Sequence, residues 1–162
     1  MRLLTVLVAF AVGLAAPAGA EDGRLSWPLH PQPAVVRAFD APAQRWQPGH
    51  RGVDLAATPG QPVYAAQGGT VVFAGELAGR PLVSVAHPGG LRTSYEPVRP
   101  SVRAGQRVAV GSPLGEVIEG HQGCPTAACL HWGAMWGPSS QADYVDPLGL
   151  LVETVVRLKP LR

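Results

Sequence analysis

Two imidazoles and a carboxylate stand where they could share one metal ion: His50 and Asp54 in one short stretch, and His131 far downstream. Two nitrogen donors and one oxygen donor are the ligand set of a catalytic zinc ion, which keeps its fourth position open for water. Zinc–donor bonds of about 2.0–2.2 Å require His50 and Asp54 to converge on one point. Four residues of extended strand cover roughly 13 Å, which is too far, so the chain must bend between them. Within His50-Arg51-Gly52-Val53-Asp54, Gly52 is the residue that turns without steric cost.

The elements that must position these donors are short strands. Gly and Pro together account for 37 of the 162 residues and interrupt the chain every few positions, which excludes long helices. Strands are expected around Val35 to Phe39, Val53 to Ala56, Val63 to Ala65, Thr70 to Ala74, Leu82 to His87 and Leu91 to Tyr95. Pro88-Gly89-Gly90 reads as the hairpin connection between the last two. Further strands are expected at Arg107 to Val110, Leu114 to Ile118, Cys129 to Ala134 and Val152 to Leu158. Asp146-Pro147-Leu148 has the form of a capped helical turn, with Pro where its missing donor is harmless. The fold class is therefore all-β.

Residues 1–20 read as an export signal. Arg2 precedes an uncharged apolar run from Leu3 to Ala16, and Ala18-Gly19-Ala20 supplies an A-x-A cleavage site. The run is short for a membrane span, so the expectation is a chain without stable membrane insertion after cleavage, secreted or held in the cell envelope. Residues 21–162 then form a single domain, long enough for a substantial core. It carries 12 basic and 11 acidic residues, a balance that argues against a nucleic-acid partner. Export also makes a disulfide between Cys124 and Cys129 the default expectation.

Four segments, in this order, resemble peptidase family M23, the lysostaphin-like, LytM-type zinc endopeptidases of bacterial cell walls. They are GHRGVDLAATPGQPVYAAQGGTVVFAG, LVSVAHPGGLRTSYEPV, VRAGQRVAVGSPLG and CLHWGA. The resemblance runs from about Trp27 to Leu151. It implies a mainly antiparallel sandwich or open barrel with a short C-terminal helical turn, a Zn2+ cofactor and peptidoglycan peptides as substrate. The family's His-x-x-x-Asp motif falls on His50 and Asp54, and the second His of its closing His-x-His falls on His131. His87, before the hairpin, reads as a structural group or an outer partner of the site rather than a ligand.

The chain departs from the family at two histidines that flank the metal-bound water. Pro97 stands in the Tyr-x-His-Leu strand, and Cys129 stands first in the closing pair. Positions i and i+2 of a strand share a face, so Cys129 should face the metal as His131 does. A free thiolate there would be a fourth ligand; a Cys124–Cys129 bridge would consume it and stabilise the fold by very roughly 2 kcal/mol. A general base contributes 10²–10⁴-fold, so substitutes matter. His121, in the loop before the cysteines, is the candidate catalytic group. Glu96 alternates with Tyr95 and Pro97 and is expected on the opposite face. Tyr95 and Trp132 are candidates for lining a substrate groove. Two readings follow. One is a zinc metalloendopeptidase acting on peptidoglycan, which the metal ligands favour. The other is a degenerate M23 domain that binds the wall or regulates a partner wall hydrolase, which the missing histidines favour.

Overall fold

The computed structural model describes residues 24–44 and 46–151. The export segment and the strand expected at Val152 to Leu158 lie outside the described residues. Eleven strands are present among those residues: β1 (Val35–Arg37), β2 (Val53–Ala57), β3 (Pro62–Tyr64), β4 (Gly69–Leu77), β5 (Arg80–Ala86), β6 (Leu91–Glu96), β7 (Val98–Pro100), β8 (Arg107–Val108), β9 (Pro113–Val117), β10 (Ala128–Trp136) and β11 (Asp143–Val145). The only helical elements among them are three 3-10 turns, at Pro88–Gly90, Ser139–Gln141 and Pro147–Leu150. In the last, the Asp146 side chain accepts from the Leu148 N–H, with Pro147 at the first position.

All strand pairs are antiparallel. The main sheet runs β1-β2-β10-β6-β5-β4-β8, and β3-β9-β7 form a second sheet, so no barrel closes. β10 is the spine. Along one edge it pairs with β6. Along the other it pairs first with β2, through Ala128 to Trp132, and then with β11, through Ala134 to Trp136. The handover falls at Gly133.

The core lies on one face of this spine. In β6, Leu91, Thr93 and Tyr95 are buried and alternate with more open residues, the period-2 pattern of a half-buried strand. Directly opposite residues of an antiparallel pair share a face. Tyr95 opposes Trp132 and Trp132 opposes Val53, and all three have no exposed surface. Burying side chains of this size stabilises the fold by about 1.5–3 kcal/mol each. The buried Tyr95, Thr93 and His87 form a hydrogen-bonded chain. Tyr95 Oη accepts from the Ala66 N–H at 3.0 Å and shares a hydrogen bond with Thr93 Oγ1 at 2.8 Å. Thr93 in turn meets His87 Nε2 at 2.8 Å, which makes His87 a structural group as expected.

Candidate metal centre

The alternation that sends Val53, Trp132 and Tyr95 into the core sends their neighbours to the other face. Asp54, His131 and Glu96 form a cross-strand row over β2, β10 and β6. His50 reaches the same place from the bend before β2. Its backbone bridges to Asp40 through two hydrogen bonds, 2.7 and 2.9 Å, which closes the preceding loop.

Three donor atoms converge there. His50 Nε2 lies 2.9 Å from Asp54 Oδ1 and 3.1 Å from His131 Nδ1, and His131 Nδ1 lies 2.8 Å from Asp54 Oδ1. A regular tetrahedron of bonds about 2.0–2.1 Å long has edges of about 3.3–3.4 Å, so a small expansion seats a zinc ion on this triangle. Tautomer selection agrees. His50 Nδ1 donates to the Ala38 carbonyl at 2.6 Å, leaving the Nε2 lone pair aimed at the centre. Such an outer partner is the usual device that orients a metal-bound histidine. The donors fit the ion by type, number and direction.

Electrostatics point the same way. Burial by itself would raise the pKa of Asp54, yet the adjacent His121 and His131 imidazoles, with the charge of His50, hold it well below the usual carboxylate range. An oxygen ligand that stays ionised is the form a cation needs.

A family model described as peptidase family M23 matches residues 48–147, most of the chain and all three donors. The chain belongs to peptidase family M23. It is 69% identical over 147 residues to the uncharacterized protein Rv2891 of Mycobacterium tuberculosis, covering 91% of this chain. The chain spans only 59% of that relative's length. Among solved structures it is similar to Csd3 of Helicobacter pylori, with a TM-score of 0.63 and 25% identity over 85% of this chain and 37% of that one. It also shares its fold with a zinc-containing peptidase from Vibrio cholerae, with a TM-score of 0.56 and 23% identity over 68% of this chain and 36% of the other.

In this M23 domain a disulfide-closed loop flanks the centre. Cys129, opposite Ala56 on the face of His131, is bonded to Cys124, with the Cα atoms 5.7 Å apart. The expected disulfide is present, and Cys129 carries no free thiolate for a metal. The loop it closes brings in His121, whose Nε2 lies 3.1 Å from Asp54 Oδ2. The approach is within ion-pair range but is not aligned as a hydrogen bond, so Nε2 is a buried nitrogen without a hydrogen-bonding partner. The His121 ring also stacks on His131, with centroids 5.9 Å apart.

Three expectations for this M23 site are corrected. Tyr95 and Trp132 line no groove: both are fully buried, and the Tyr95 hydroxyl is used inside the core. Glu96 is on the face of His131, because Tyr95 faces the core and its neighbour must face outward. Its carboxylate pairs with Arg80 at 3.2 Å. Gly52 is required for space rather than for its turn, since a Cβ there would stand 2.5 Å from the Trp132 carbonyl oxygen.

The open surface beside the centre comes from other residues. Trp46, Gln47, Pro48, Arg51, Ala142 and Tyr144 line a groove of about 580 Å³ that begins one residue from His50. Trp46 is 81% exposed, and the Arg51 guanidinium lies 5.8 Å from the centre of the Tyr144 ring. Sequence reasoning passed over this groove. The one available signal was an aromatic in a Pro- and Gly-containing loop directly before the metal motif.

Proposed function

We propose that this chain is a zinc-dependent endopeptidase acting on peptidoglycan peptides, exported to the cell envelope or beyond it. The observation that carries the reading is the triangle of His50 Nε2, Asp54 Oδ1 and His131 Nδ1, with edges of 2.8–3.1 Å. When bound, zinc supplies a polarising Lewis acid and a water acidic enough to attack at neutral pH.

The chain's own residues do the rest. Ala38 fixes the His50 tautomer, and the β2–β10 register sets Asp54 against His131. The groove of Trp46, Arg51 and Tyr144 offers flat aromatic surface and a cation to an extended peptide bearing carboxylates. On the site face, His121 Nε2 from the loop and the Glu96 carboxylate from β6 are the groups beyond the ligands able to hold a proton near the scissile bond.

A second reading rests on Pro97 and Cys129, which occupy the positions of two histidines expected from the family. On that reading the domain binds wall peptides, or a wall hydrolase, without cutting. One experiment separates the two: metal content and hydrolysis of purified peptidoglycan and stem peptides by the protein, with His131→Ala as control. Metal-dependent cleavage that His131→Ala abolishes supports the enzyme. Zinc and wall-fragment binding with no hydrolysis above a metal-free control supports the binding module.

A further inference from the structure

We infer that the Cys124–Cys129 disulfide is a staple for the metal centre, holding His121 against the outer oxygen of Asp54 so that its inner oxygen faces the ion. His121 is thus a positioning residue, acting through Asp54. The inference rests on the zinc reading above and adds to it a device built from residues outside the ligand triangle.

Three observations meet in it. Asp54 offers Oδ1 to His50 and His131, at 2.9 and 2.8 Å, which leaves Oδ2 to be held by something else. The side chain within reach of Oδ2 is His121, at 3.1 Å, with only 15% of its surface exposed. The loop that presents His121 contains no strand or helix and has few bonds of its own. The Cys124 N–H bonds to the His121 carbonyl at 3.3 Å, and Thr126 Oγ1 donates to the Ala128 carbonyl at 2.7 Å. What ties this turn to the sheet is the covalent link to Cys129, two residues before His131 on the face of β10 that carries it. Without that link, burying an imidazole beside a carboxylate would rely on one backbone hydrogen bond and one from the Thr126 hydroxyl against the entropy of a free loop.

The test measures zinc affinity by chelator competition, with the visible spectrum of the Co2+-substituted protein as a report on ligand geometry. It compares the oxidised parent, His121→Ala, His121→Gln, the pair Cys124→Ser with Cys129→Ser, and that pair combined with His121→Ala. Serines are used so that no new thiolate can bind the metal. Outer partners of metal ligands typically contribute 10–100-fold to affinity. His121→Ala should weaken zinc binding by that factor and alter the Co2+ spectrum. His121→Gln, whose amide can donate to Oδ2, should recover most of the loss. The serine pair should fall in the same range, and combining it with His121→Ala should add nothing, because the staple acts through His121.

Parent-like affinity in His121→Ala overturns the inference, as does a glutamine variant no better than alanine. So does a serine pair that weakens binding equally with and without His121. In each case the parent still binds zinc, so the metal reading stands. A parent that binds no zinc overturns both.

Discussion

Gly52 lies directly beneath His131: a Cβ at position 52 would stand 2.7 Å from His131 Nε2 and 2.5 Å from the Trp132 carbonyl oxygen. The bend that brings His50 back to Asp54 therefore passes as close to β10 as a backbone can.

Gly52→Ala is expected to push His131 off the triangle and weaken zinc binding by at least tenfold, with a stability loss of about 1–3 kcal/mol from overpacking. Gly60→Ala is the control. Gly60 has a φ of +79° and open space around it, so alanine there costs backbone strain of about 1–2 kcal/mol and leaves zinc affinity unchanged. Chelator competition and denaturant melts on both variants check this.

Metal binding should stabilise the fold by mass action. Free zinc at a thousand times its dissociation constant adds about 4 kcal/mol, visible as a zinc-dependent rise in melting temperature that a chelator reverses. His131→Ala should remove that rise, because the ligand set no longer exists.

Restoring the missing histidines tests what the centre lacks. Cys129→His with Cys124→Ser should raise peptide hydrolysis by about 10–10³-fold at saturating zinc if a proton-transferring group is limiting, and Pro97→His should add to it. Saturating metal matters because the exchange also cuts the staple on His121. Circular dichroism must first show that each variant folds, since Pro97 is buried at the β6–β7 junction.

Burial raises the Tyr95 phenol to about 12, only partly offset by hydrogen bonds from Thr93 and the Ala66 N–H. Above about pH 10 the unfolded chain loses this proton while the native chain keeps it. Stability is therefore full below pH 10 and falls by about 2–3 kcal/mol as pH rises through 12. Tyr95→Phe should flatten that fall, read from denaturant melts between pH 8 and 12.

Much of the arrangement was legible in the residues themselves. The His50–Asp54 spacing demanded a bend, and the strand before Trp132 carried His131; each is where the sequence places it. β7 and β11 are three residues each, and pairing with β9 and β10 rather than any local pattern makes Val98–Pro100 and Asp143–Val145 strands. The side taken by Glu96 was misread for a different reason. Alternation gives only relative sides, and it is the pairing of Tyr95 with Trp132 that makes Tyr95 inward and Glu96 outward. The aromatic rings misled because Tyr and Trp suit a wet groove and a satisfied core equally well. The open groove beside the centre needs β11 docked beside the His50 loop, a contact between distant segments that no local pattern encodes.

The pairing of β2 with β10 sets Asp54 opposite His131 across a separation of 77 residues. Because side chains alternate, slipping that ladder by a single residue would bury one of these two ligands and face the other outward. An ion held by both ligands would thereby favour the correct strand alignment over a slipped one, because a misaligned ladder offers no place to hold a metal.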